Sequence, residues 1–115
     1  MADDEVARLL TVSRSRSGDT VVVAAEGEID VTSAPQLQAE LEQAQDDGAA
    51  IVDLSRVVFM GSAGLSVLLA AAQRTGAGPL RVVASFQVRR PIEVTGLDKS
   101  LALFESLDEA LRSQP

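Results

Sequence analysis

The chain contains no cysteine, histidine, tryptophan or tyrosine among its 115 residues. Without cysteine there is no disulfide framework, no thiolate nucleophile and no thiolate metal site. Without histidine there is no imidazole ligand and no histidine general base. Aromatics are reduced to three phenylalanines and lysine to Lys99, so carboxylates, hydroxyls and nine arginines hold whatever chemistry remains. Carboxylates alone can run a glycosidase-type reaction, but only as a pair facing each other across a cleft, and nothing in the sequence points to such a pair. A non-enzyme without cofactor or metal is expected. No apolar run reaches the ~18 residues of a membrane span. The first residues, Met1-Ala2-Asp3-Asp4-Glu5, are acidic, where a secretory signal opens basic and turns apolar. A cytoplasmic protein is expected.

What is present is aliphatic and acidic. Seventeen acidic residues against ten basic ones give a net charge of −7. That field repels phosphate backbones and anionic lipid, so neither nucleic acid nor a membrane is an expected partner. The acidity serves solubility alone or favours a partner with a basic surface, and the sequence leaves both open. The length suits one domain with a real core.

Leu9 to Val12 has β-prone composition and follows a tail, residues 1–7, with no packing signal. Ser13 to Asp19 is polar, with a turn at Ser17-Gly18-Asp19, and Thr20 to Ala25 is a Val-rich strand, which predicts an antiparallel hairpin. Ser33-Ala34-Pro35-Gln36 reads as a helix start with a Ser33/Gln36 capping box, and Ala34, Leu37, Leu41 and Ala44 recur on one face before the stop at Gly48. Ala49 to Leu54 is a short apolar strand of the kind covered on both faces. A loop is predicted from there to Ser62, then a helix to Arg74. Leu80 to Ala84 is a strand, Gln87 to Gly96 a helix, and Leu101 to Glu105 a strand. A second capping box, Ser106-Leu107-Asp108-Glu109, opens the last helix. A strand, a helix and a second apolar strand imply parallel pairing. The fold class is α/β, with a mixed sheet of four or five strands and about four helices mainly on one face.

The stretch from Ile51 to Leu69 organises the rest, because it brings a lone hydroxyl, Ser62, to a helix start. At ~100° per residue, Leu65, Leu68, Leu69 and Ala72 face the core, and Ala63, Val67, Ala70 and Arg74 collect on the opposite side. That outer side is small and apolar. Either neighbouring helices cover it or it docks another protein. Ser62 itself is a plain N-cap or a switch. A phosphate there would meet unpaired amides and positive dipole character, leaving the fold intact, while it opposed an interface by about −2 of charge.

Several segments in this order resemble the STAS domain, and within it the bacterial anti-sigma factor antagonists. They are Glu26-Gly27-Glu28-Ile29-Asp30, Val52-Asp53-Leu54-Ser55, Phe59-Met60-Gly61-Ser62-Ala63-Gly64-Leu65, Val94-Thr95-Gly96-Leu97 and Ser106-Leu107-Asp108-Glu109-Ala110-Leu111. The resemblance covers residues 8 to 112 and implies a single STAS domain over 1–115. It implies a partner switch: the unphosphorylated chain binds an anti-sigma factor that is also a serine kinase, so freeing a sigma factor. ATP-dependent phosphorylation at the position of Ser62 releases it, and a serine phosphatase resets it. The partner surface so implied comprises Asp30, Thr32, Ser33, Gly61, Ser62, Ala63, Ser66 and Val67. The family often has Asp before the phosphorylated serine and Ser or Thr after it. Here these are Gly61, which is expected to free the loop at positive φ, and Ala63, which cannot accept a phosphate. Two other readings stay open. One is a STAS scaffold or transport-complex subunit that works by binding without phosphorylation. The other is a nucleotide binder, although Gly76-Ala77-Gly78 precedes a strand and does not match a phosphate cradle.

Overall fold

The computed structural model describes residues 10–74 and 79–113. The tail expected over residues 1–7, Leu9 of the first expected strand and the Gly76-Ala77-Gly78 stretch lie outside the described residues. The Val-rich runs form the middle of a five-stranded sheet. Its strands β1 (Thr11–Ser17), β2 (Thr20–Ile29), β3 (Ala49–Met60), β4 (Leu80–Ala84) and β5 (Leu101–Phe104) lie side by side in sequence order. The first two make the expected antiparallel hairpin, and every other neighbour pair is parallel. Parallel neighbours need crossovers. These are α1 (Ala34–Asp47), α2 (Ser62–Arg74) and α3 (Phe86–Val94), the last followed by a 3-10 turn at Leu97–Ser100.

Leu37 and Leu41 of α1, Val67 and Leu68 of α2, and Val88 and Ile92 of α3 share one core with the sheet. The short α4 (Leu107–Arg112) covers the other face, where Ala110 packs with Ile51 and Val83. The Ser106 half of its capping box forms as predicted, while Glu109 reaches back one residue further than expected, to the Glu105 amide. Ser106 Oγ accepts the Glu109 amide at 3.2 Å, and Glu109 Oε1 accepts the Glu105 amide at 3.2 Å. The far end is held by Arg81, buried on β4, whose Nη1 donates to the Ala110 and Ser113 carbonyls at 2.8 Å each. A cation suits the negative end of a helix.

Three elements are longer than expected, the first being β2, which runs past Ala25 to Ile29. β1 continues through Ser13–Ser17 although that stretch is polar. It is an edge strand, and Arg14 reaches across to Asp47 (3.4 Å) and Gln43 (3.3 Å) on α1 in place of an apolar side chain. β3 continues through Met60, where a loop was predicted. It takes one extra residue against β2 between the Ala24 and Glu26 pairings, and a second, Val58, between those of Gly27 and Glu28. Such bulges break the alternation by which a strand is recognised. They leave Leu54, Val57 and Met60 all buried while Val58 and Phe59 face outward.

The buried face of α2 also differs. Gly64, Val67, Leu68 and Ala71 point inward, and Leu69 is 42 % exposed, so the helix is turned by about one residue (~100°) from the expected orientation. Gly64 sets that angle. A Cβ there would lie 2.5 Å from Met60 Cγ and 2.8 Å from Ile29 Cγ2, so the backbone of α2 lies directly on the ends of β2 and β3. The small outer side expected at Val67 and Ala70 is covered by α1, to which Arg74 (to Asp46, 3.0 Å) and the Ala71 carbonyl (from Gln45, 2.8 Å) are tied. Cover by a neighbouring helix is thus observed for Val67, Ala70 and Arg74, three of the four residues expected on that side.

Candidate functional site

The C-terminal ends of β2 and β3 stop side by side, Ile29 opposite Met60. In an open α/β sheet this end is where loops meet and ligands bind. After Ile29 the chain turns through Asp30–Ser33 into α1, and after Met60 it turns at Gly61 into α2. One hydrogen bond stitches the turns together: the Gly61 amide donates to the Ile29 carbonyl at 3.0 Å.

The first turn is built on a single oxygen. Asp30 Oδ1 accepts from the Thr32 amide (2.9 Å), the Thr32 hydroxyl (2.9 Å) and the Ser33 amide (3.0 Å). Asp30 thus serves the two amides just before α1, and no side chain takes the capping role expected of Ser33. The Ser33 hydroxyl makes no cap bond to α1; it donates to the Glu28 carbonyl at 2.9 Å and accepts the Asp30 amide at 3.0 Å. Serines prefer such local bonds when an acidic neighbour already serves the amides. The Thr32 hydroxyl, followed by the Ser33 amide, holds the Asp30 carboxyl below the usual aspartate range.

A lowered pKa means that the carboxylate supports the turn above the ordinary aspartate range and loses that role only as pH falls through the lowered value. Protection of the Thr32 and Ser33 amides from hydrogen exchange is thus expected to hold steady from neutral pH to about 4 and to fall only below it. Loss of protection already at about pH 5 would contradict this arrangement, and Asp30→Ala should remove protection at every pH.

The second turn presents Ser62. Gly61 is the cap residue: its carbonyl accepts the amides of Gly64 (3.0 Å) and Leu65 (3.3 Å). Ser62 is therefore the first helical residue and its side chain is exposed. Among the described residues its hydroxyl has no hydrogen-bond partner, and the Ser62 and Ala63 amides have no acceptor. The plain N-cap role is thus taken by Gly61. Contrary to expectation, Gly61 does not adopt a positive φ. A Cβ at that position would meet the Phe59 ring at 3.5 Å, ordinary contact, so a side chain has room there.

Of the eight residues expected to form the partner surface, Asp30, Thr32, Gly61, Ser62 and Ala63 lie on these two stitched turns, and exposed Ser66 lies one helical turn beyond Ser62. Two are corrected. Val67 is 4 % exposed because the Gly64 contact turns it into the core, and Ser33 is buried with its hydroxyl consumed locally. Neither offers a side chain to a partner. Exposed Val31 and Phe59 flank the same place, and patterning missed them. The available signals were an apolar residue inside a polar turn and a strand that outlasts its alternation. Among the described residues no three acidic side chains group to hold a metal ion, and no helix is long and apolar enough to cross a membrane.

The STAS domain model matches residues 11–110, spanning both turns and all five strands. The chain belongs to the STAS domain family. This STAS domain is 38 % identical over 106 residues to the anti-sigma-F factor antagonist RsfB of Mycobacterium tuberculosis, covering 89 % of the chain and 87 % of RsfB. Its fold matches the crystal structure of an anti-sigma factor antagonist from Mycobacterium paratuberculosis with a TM-score of 0.82 at 39 % identity, over 89 % and 91 % of the two chains. At the level of fold alone it also matches SpoIIAA, a Bacillus cell fate determinant, solved in its phosphorylated form. There the identity is 23 %, the coverage 88 % and 96 %, and the TM-score 0.63.

Proposed function

We propose that this STAS domain is an anti-sigma factor antagonist that works as a phosphorylation-controlled partner switch in the cytoplasm. It acts by binding and performs no chemistry of its own. With Ser62 unmodified, the two-turn face binds an anti-sigma factor that is also a serine kinase, and a sigma factor is freed. The kinase transfers the γ-phosphoryl group of ATP to Ser62 Oγ, ADP leaves, and the modified domain lets go. A serine phosphatase returns it to the binding form.

The observation that carries this reading is the state of Ser62: an exposed hydroxyl with no partner of its own among the described residues, on the first residue of α2 and next to the Asp30 turn. A kinase can reach such a group without disturbing the fold. The open Ser62 and Ala63 amides would face the added phosphate, an arrangement that helix N-termini favour. The names of the relatives at 38 % and 39 % identity support the antagonist role.

Incubation with the cognate kinase and ATP, followed by peptide mass mapping, is expected to place one phosphate on Ser62 and none on Ser62→Ala. Phosphate only on another residue would count against the Ser62 switch, and Ser62→Ala and Ser62→Glu binding the partner alike would favour a STAS scaffold that works by binding alone.

A further inference from the structure

Val31, Val58, Phe59 and Phe86, four of the six exposed large apolar side chains among the described residues, follow or end β2, β3 and β4 at one end of the sheet. Val31 is 80 % exposed at the tip of the Asp30 turn, and the residues on both sides of it are fixed by the carboxylate that Thr32 and Ser33 share. Phe59 is 52 % exposed beside Gly61, on the part of β3 that runs past its last pairing with β4, Leu54 opposite Ala84. The solvent-facing parts of a valine and a phenylalanine bury no apolar surface in the fold. Held on a rigid turn and a bulged strand end, they lose little freedom on binding. Ser62 comes three residues after Phe59, and the Gly61–Ile29 hydrogen bond ties its turn to the one that carries Val31.

The charges around these two side chains are acidic. Glu28 pairs with Phe59 across the sheet, Asp30 adjoins Val31, and the second carboxylate oxygen of Asp30 accepts no hydrogen bond among the described residues. The cation nearest in register, Arg56, stands opposite Glu26. A second copy related by a two-fold axis would bring Glu28 and Asp30 against their own likes, and an anionic membrane would be repelled.

We infer that Val31 and Phe59 are the apolar anchors of the docking face, and that they fit a protein surface with apolar sockets rimmed by arginine or lysine. The inference rests on the reading of Ser62 given above and names the chemistry of the partner. Affinity then comes from two buried knobs, as at other protein interfaces, and register comes from Glu28 and Asp30. A phosphate on Ser62 acts by bringing charge and water to that face.

The test is calorimetric titration with the purified cognate anti-sigma factor kinase, without ATP so that Ser62 stays unmodified. Val31→Ser and Phe59→Ser are each expected to weaken binding by about tenfold or more, with unchanged circular dichroism. Val94→Ser, 76 % exposed at the far end of α3, should stay within about twofold of wild type. Added salt should weaken the wild-type complex. The inference is overturned if Val31→Ser and Phe59→Ser both bind within about twofold while Ser62→Glu does not bind, a result that leaves the switch itself standing. It is overturned equally if Val94→Ser loses as much, or if gel filtration finds a dimer of the free chain that Val31→Ser dissolves. Should Ser62→Glu bind like wild type while both anchor variants lose affinity, the docking face stands and the phosphate switch fails.

Discussion

Ser62→Glu is expected to reduce affinity for the anti-sigma factor kinase by about 100-fold or more, a change of ~2.7 kcal/mol, without lowering the melting temperature. The two effects have opposite signs for one reason. Within the free domain, a carboxylate in the first turn of α2 meets the open Ser62 and Ala63 amides and is stabilising by ~0.3–1 kcal/mol. Inside a closed interface the same charge must give up its hydration where the unmodified face packs closely, which costs several kcal/mol. Ser62→Gln separates charge from bulk: it should retain most of the affinity lost by Ser62→Glu. Equal losses for Gln and Glu would mean that size alone blocks docking, and a collapse in melting temperature would mean that Ser62 is structural after all.

Gly64→Val should be the most damaging single change to the fold, destabilising by about 3 kcal/mol or more. A Cβ alone would already crowd Met60 Cγ at 2.5 Å and Ile29 Cγ2 at 2.8 Å. Methionine can swing aside, but the Ile29 branch is fixed to a fully buried strand end. Valine adds two more carbons to that space. Gly64→Ala is the milder form, because alanine's helix preference of about 1 kcal/mol over glycine offsets part of the clash. Thermal unfolding of Gly64→Ala in a Met60→Ala background provides the check. Relief of the crowding makes the pair non-additive, whereas simple addition of the two losses would show that the contact is not what matters.

These two positions also mark how far the sequence could be read. Ser62 was legible because a hydroxyl at the head of an apolar helix is a local signal, and so were the hairpin, the Ser106 cap and the Val-rich strands. The orientation of α2 was not. Leu65 and Leu69 outweigh a glycine in any periodicity, yet the close approach at Gly64 decides which side faces in, and that approach belongs to the packed sheet. The continuation of β3 to Met60 was hidden for a related reason: two extra residues shift its buried side chains to 54, 57 and 60, a spacing no strand pattern contains. Phe59 was missed through that error, because a stretch read as loop gives no reason to ask where its apolar side chains point, and Val31 was missed as a lone apolar residue inside a polar turn. Ser33 was read as the cap of α1 because serine caps helices well, but its hydroxyl is taken up by the Glu28 carbonyl and the Asp30 amide, a matter of geometry.

The two open edges of the sheet have a consequence for selectivity. A bare strand edge recruits other strands through the main chain, whatever their side chains. Here β1 alternates serine with Arg14 and Arg16, and β5 is only four residues long. Both are poor templates, so indiscriminate strand pairing is discouraged on either side of the molecule. Recognition is left to the strand ends, where each contact is made by a particular side chain and one added group can cancel it. The proposed exchange of partners would need that economy: few ways to stick, all of them erasable.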